Sequence, residues 1–176
     1  MQPMRSAALA VSVLAAIAST PASAAHGPVV RASGQIGPFH IDRTTEAQLR
    51  SIAGPPARVE NNFSPGRRRP IGHTLYYRCG GSCLTTYSIN DATGKLSDFW
   101  TRSPHFRTER GAHVGMRRAR AVALERKRVL PSCGIGPGSI YIRSDHGRIF
   151  VLGIYRDRVY SMTYLGPHSV HYEGLC

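Results

Sequence analysis

Ala47, Leu49, Ile52 and Ala53 recur at close to helical spacing, behind Thr45 and with Gln48 three residues after it. That arrangement is a capping box, and Gly54-Pro55-Pro56 blocks any continuation. The pattern predicts a short helix over 45–53. The apolar period then changes to that of strands. Arg58 to Phe63 is the weakest candidate; His73 to Cys79, Leu84 to Ile89 and Leu96 to Thr101 are stronger, with Asp91-Ala92-Thr93-Gly94 as a hairpin turn between the last two. Helical spacing returns over Met116 to Arg128, where Met116, Ala119, Val122 and Ala123 share a face and strong helix formers prevail. Three more strands are expected at Ser139 to Arg143, Arg148 to Ile154 and Val159 to Leu165, with turns at 144–147 and 155–158. The run Ile149-Phe150-Val151-Leu152 is apolar on both faces and belongs in the middle of a sheet.

The two halves follow the same plan. Gly37-Pro38-Phe39-His40-Ile41-Asp42 leads into the first helix and Gly111-Ala112-His113-Val114-Gly115 into the second. His40 and His113 fall in register, as do Ile41 and Val114. Self-similarity at this period predicts a tandem duplication. The expected fold is therefore α+β: two units, 34–104 and 105–176, each a short helix on an antiparallel meander of three to four strands.

The first 24 residues read as a secretory signal peptide. Arg5 supplies the positive start, Ala7 to Ile17 the short apolar run and Ala22-Ser23-Ala24 the small-residue site, so cleavage is expected before Ala25. The apolar run is too short for a membrane span, and stable membrane insertion is not expected. Residues 25–33 are small and polar and read as a flexible lead-in. A secreted or periplasmic chain meets an oxidising compartment, so Cys79, Cys83, Cys133 and Cys176 should form two disulfides. Three connectivities are open; the spacing favours Cys79–Cys83 across a glycine-containing turn, and with it Cys133–Cys176.

Charge adds a second expectation. The chain carries a formal +13 and only two of its basic residues, Lys95 and Lys127, are lysine. Such a balance favours anionic partners: an acidic wall polymer, lipid head groups or an acidic protein, with nucleic acid the weaker candidate. Arg67, Arg68 and Arg69 lie in a loop and cannot all pack; Arg117 and Arg118 open the second helix, where its dipole disfavours cations. These five are the candidate anion contacts. The strand aromatics Tyr76, Trp100, Tyr141, Tyr160 and Tyr164 are candidates for a partner-binding sheet face, with Tyr160, Met162 and Tyr164 on one side by alternation.

Catalytic parts are few. Ten acids are present without a close carboxylate pair in sequence, Gly81-Ser82-Cys83 lacks the flanking of a nucleophile elbow, and the eight histidines show no metal spacing. No metal or other cofactor is expected. The enzyme class that best fits these residues is a secreted nuclease using Arg107, Glu109 and His113 for acid–base work on a phosphodiester.

The segment Gly37 to Pro56, with its Ile-Gly-Pro entry, threonine-capped helix and Gly-Pro-Pro stop, resembles the helical opening of two groups. One is the small outer-membrane lipoproteins of the barrel-assembly complex; the other is the secreted β-lactamase inhibitory protein, in which two helix-plus-sheet units stand in tandem with two disulfides. The resemblance implies a non-enzymatic binding module, inhibitor-like in the second case. The chain departs from the lipoproteins in lacking a lipid-attachment cysteine at the signal boundary, and from the inhibitor in its positive charge. The partner implied is an extracytoplasmic protein; the alternative from charge is an anionic surface polymer.

Overall fold

A computed structural model describes residues 27–64, 66, 68–130, 138–145 and 148–170. The signal segment, its cleavage site, Arg67 and the Cys133–Cys176 pairing lie outside the described residues.

The fold is α+β. Its strands are β1 (Val29–Val30), β2 (Gln35–Ile36), β3 (Phe39–His40), β4 (Arg58–Phe63), β5 (Pro70–Arg78), β6 (Leu84–Asn90), β7 (Lys95–Thr101), β8 (Arg107–Thr108), β9 (Ser139–Arg143), β10 (Ile149–Tyr155) and β11 (Arg158–Leu165). Its helices are α1 (Glu46–Ala53) and α2 (Arg118–Glu125). The capping box forms as expected: the Gln48 N–H donates to Thr45 Oγ1 at 3.3 Å, and the Thr45 N–H donates to Gln48 Oε1 at 2.9 Å. The second helix is shorter than its composition suggested. Gly115 takes a positive φ of 93°, Arg117 is extended with no side-chain cap, and Val129 is drawn into a bridge with Ile142. Cross-strand hydrogen bonds thus outweigh helix propensity at both of its ends.

An antiparallel meander forms in each half, four strands over β4 to β7 and three over β9 to β11. The two join in one seven-stranded antiparallel sheet of order β4-β5-β6-β7-β11-β10-β9, in which β7 and β11 link the halves. The strand β10, expected at the centre, is second from one edge and flanked on both sides. A smaller four-stranded sheet, β3-β2-β1-β8, escaped the sequence reading because each strand has only two residues. It includes Val29 and Val30, so part of the expected flexible lead-in is ordered by pairing with β2 and, in parallel, β8.

Register places Leu75, Tyr87, Phe99, Tyr164, Phe150 and Ile142 in one row across six strands. That face meets Leu49 of α1, Ala121 of α2 and Val30, Ile36 and Phe39 of the small sheet in a single core. Phe39, Tyr87, Phe99 and Phe106 pack in succession, the first pair edge-to-face and the others tilted, at centroid distances of 5.3, 5.5 and 5.0 Å. Both helices and the small sheet therefore pack on one side of the large sheet. The other side carries the alternate residues.

His40 and His113 occupy matching positions. Each directs Nδ1 at the carbonyl of the next residue, at 2.7 Å for Ile41 and 3.0 Å for Val114. Each is followed by a left-handed residue, Asp42 or Gly115, whose N–H donates to Leu96 or Val159 near the start of β7 or β11. A carbonyl can only accept, so Nδ1 is the donor in both rings.

The disulfide Cys79–Cys83 forms across Gly80-Gly81-Ser82 at the β5–β6 turn, with Cα atoms 5.1 Å apart. Its loop is short, so the chain-entropy model assigns it only about 2 kcal/mol. Substituting both cysteines by serine is expected to lower stability by about that much or less, read as a shifted urea midpoint with unchanged m.

Candidate functional site

The helix-free face of the large sheet holds the first candidate. Pairing aligns Tyr76, Thr86, Trp100, Thr163, Val151 and Tyr141 in one row, and Thr74, Ser88, Asp98 and Leu165 in the row beside it. Between them is a mainly apolar trough of about 390 Å³, bounded by Tyr76, Leu84, Trp100 and Leu165. Its floor is polar and tied down: Thr74 and Ser88 hydroxyls meet at 2.8 Å, and the Ser97 hydroxyl and Val170 N–H both donate to Asp98 Oδ2, at 2.8 and 3.1 Å. Asn90 Nδ2 donates to the His168 carbonyl at 2.9 Å, so residues 168–170 are tied to the sheet beside that floor. At the opposite rim, the Arg58 guanidinium lies 4.1 Å over the Tyr76 ring, and the Tyr76 hydroxyl donates to Glu60 at 2.5 Å. Burial, then the Glu60 carboxylate, raises the Tyr76 hydroxyl above its ordinary value, so it stays a donor.

Of the five aromatics singled out from sequence, Tyr76 and Trp100 border this trough and Tyr141, buried, continues its row. Tyr164 does not belong with them. It is fully buried on the helix side, and its hydroxyl donates to the Ala32 carbonyl at 2.7 Å. Tyr160 is elsewhere again. A bulge pairs Gly153 with Ser161 but Ile154 with Val159, leaving Tyr160 as the extra residue. The alternation that grouped it with Tyr164 is broken there.

Tyr160 instead lines a second cleft, of about 460 Å³, at the end of the sheet beside the disulfide. Tyr155, Arg102, Arg156 and Arg158 line it with Tyr160, and no carboxylate does. Arg117 is held at its margin, since it bridges to Arg158, and the Arg118 N–H donates to the Asp157 carbonyl at 2.9 Å. Arg117 is exposed, whereas Arg118 is half-buried. Arg68 and Arg69 are exposed in the β4–β5 connection. The sequence reading missed Arg102, Tyr155, Arg156 and Arg158. The available signal was Arg-Asp in a two-residue hairpin, where Asn-Gly is the comfortable choice.

The residues weighed for phosphodiester chemistry are occupied in other ways. Glu109 Oε2 accepts from Arg128 at 2.5 Å and Oε1 from Arg31 at 3.4 Å. Burial would raise its carboxyl, but Arg128, the Ala32 N–H and Arg31 outweigh that and hold it below its ordinary value. Arg107 bridges through its backbone to His113, whose Nδ1 is engaged with Val114. A different acid–base cluster was hidden by sequence distance: His73 lies between Glu46 and Asp91, its two nitrogens each 2.9 Å from a carboxylate oxygen. Both nitrogens are engaged, and the cluster ties α1 to β5 and to the β6–β7 turn. Among the described residues, no group of three or more His, Cys, Asp or Glu is arranged to hold a metal ion.

Glu46 and Glu109 set an acid limit on stability. At Glu46 too, burial opposes the shift, but Arg50 and His73 together depress the carboxyl below 4.5. A carboxyl depressed in the folded state stabilises fully above its unfolded value, and that contribution vanishes as pH falls through the folded value. The melting temperature is therefore expected to fall as pH drops below about 4.5, and Glu109→Gln should flatten the profile.

No family model matches the chain, and no curated protein matches it. One solved structure, an extracellular protein containing an SCP domain from Bacillus anthracis str. Ames, is similar at 9% identity with a TM-score of 0.47. The match covers 70% of this chain and 43% of that one, and at these values it carries no inference about activity.

Proposed function

We propose that the chain is a secreted, non-enzymatic binding module that docks an extracytoplasmic protein on the helix-free face of its large sheet. The observation that carries this reading is the trough bounded by Tyr76, Leu84, Trp100 and Leu165. An apolar concavity rimmed by aromatic side chains, over a floor whose Thr74 and Ser88 hydroxyls and Asp98 Oδ2 are already engaged, suits the anchor side chains of a protein partner. The Cys79–Cys83 disulfide favours an oxidising compartment, and no helix among the described residues is long and apolar enough to cross a membrane. The resemblance to the β-lactamase inhibitory protein and the matched environments of His40 and His113 support a duplicated helix-plus-sheet ancestry.

The test is capture of partners from the producing culture's envelope and medium on the oxidised protein, washed at low and then high salt. Docking through the trough should survive high salt, because buried apolar contacts are little screened. Capture should also be lost with Tyr76→Ala. Recovery of polyanions alone, all released by salt, would replace this reading with a surface polymer-binding protein.

A further inference from the structure

We propose that the cleft between Tyr155, Tyr160, Arg102, Arg156 and Arg158 is a separate binding site for an acidic oligosaccharide. Three features converge on it. First, its lining combines three guanidiniums with no carboxylate, and Arg117, exposed, bridges through its backbone to Arg158 beside it. Among the described residues, none of these four forms an ion pair; Arg158 donates to the Gly115 carbonyl at 2.8 Å, and Asp157, the acid at the turn, pairs with none of them. Elsewhere Arg31, Arg50, Arg58, Arg128 and Arg148 are paired with Glu109, Glu46, Glu60 and Asp42, whereas these four stand close together with no carboxylate partner.

Second, the guanidiniums are pre-positioned. Arg102 lies 4.3 Å over the Tyr160 ring and Arg156 lies 5.3 Å over the Tyr155 ring. Stacking holds a guanidinium by its face and leaves its edge, where the N–H donors are, available to fork a carboxylate. The two rings are 58% and 40% exposed despite their size, for Tyr155 and Tyr160 respectively.

Third, the turn that presents Arg156 is strained. Arg156 and Asp157 both adopt left-handed backbone, at φ 46° and 60°, a conformation that glycine or asparagine adopts far more readily. Strain of this kind persists where the surroundings or a function hold it. Here it puts the guanidinium against Tyr155.

The geometry favours a sugar over a nucleobase. The rings are 5.8 Å apart and inclined by 59°, so they form no parallel slot into which a base could slide. A pyranose ring needs only a single aromatic face, and its acidic substituents supply the charge that the arginines lack. The ligand chemistry is thus a carboxylated sugar polymer, read by rings for the sugar and by guanidinium forks for the acid.

The probe is a galacturonate hexamer, compared with a neutral glucose hexamer and a short oligothymidylate, by calorimetry on the full oxidised chain at physiological salt. The wild-type protein is expected to bind the galacturonate hexamer and to prefer it to both controls. Arg102→Ala with Arg156→Ala should weaken that binding by about tenfold or more, since charge-assisted hydrogen bonds are lost. Arg68→Ala with Arg69→Ala, which removes the same charge elsewhere, should change it by less than about twofold. Arg156→Gly separates site from scaffold: glycine suits the left-handed backbone, so the melting temperature should rise by about 2 °C while affinity falls. Absence of binding, equal losses from the two double variants, tighter binding of oligothymidylate, or unchanged affinity in Arg156→Gly would each overturn the proposal.

Discussion

Tyr164→Ala is expected to destabilise the fold by about 3–5 kcal/mol, the range for truncating a buried aromatic without full collapse of the void. Tyr164 is fully buried in the row that runs from Leu75 to Ile142, with its ring 5.7 Å from that of Phe150. Its hydroxyl reaches the Ala32 carbonyl, which fastens the small sheet onto the large one. Burial pushes that hydroxyl up to about 12, so it donates throughout the accessible pH range. Tyr164→Phe isolates this bond and should cost about 1–2 kcal/mol, since the Ala32 carbonyl loses its donor in a buried setting. Urea unfolding reads both values. A loss below about 1 kcal/mol for Tyr164→Ala would mean that the helix side of the sheet is not the core.

Trp100→Ala is expected to do the opposite: little to stability, much to binding. Trp100 is half-buried at the trough and packs against no helix. Its truncation should cost about 1 kcal/mol of folding free energy from lost apolar burial. If the trough anchors a partner, the same change should weaken the complex by about 2 kcal/mol or more, close to thirtyfold in affinity. The weakening should be nearly independent of salt, unlike that caused by removing a rim arginine. The pair of variants thus assigns the two faces of one sheet to two different jobs.

The contrast between Tyr164 and Tyr160 also shows where the sequence stopped being informative. Local signals worked: the threonine cap of α1, the left-handed glycine at Gly94 and the Cys79–Cys83 disulfide turn are all decided by neighbours within a few residues. Face assignments worked only until a bulge intervened. One falls at Gly153 and Ile154, displacing Tyr160; another falls at Ser88 and Ile89, inserting Ser97 so that Leu96 and Phe99 both face the core. Bulges follow from pairing across strands, and a single strand's alternation does not reveal them.

The small sheet and the clefts were illegible for a related reason. Two-residue strands such as Val29–Val30 have no period to detect. The His73 cluster draws on Glu46 and Asp91, residues that only the fold brings to one ring. The Tyr–Arg cleft draws on the β10–β11 turn and the end of β7, far apart in the chain. Arg117 could be picked out from its unfavourable place at a helix start, but its neighbours Arg156 and Arg158 could not.

The central claim is that a partner docks on the helix-free face, and Trp100 is the only tryptophan in the chain. Protein labelled with 5-fluorotryptophan therefore gives a single fluorine resonance from the trough. Adding the partner captured at high salt should shift or broaden that resonance, while a trough-filling Leu84→Trp variant should bind weakly. A captured partner that binds with the Trp100 resonance unmoved would contradict the account.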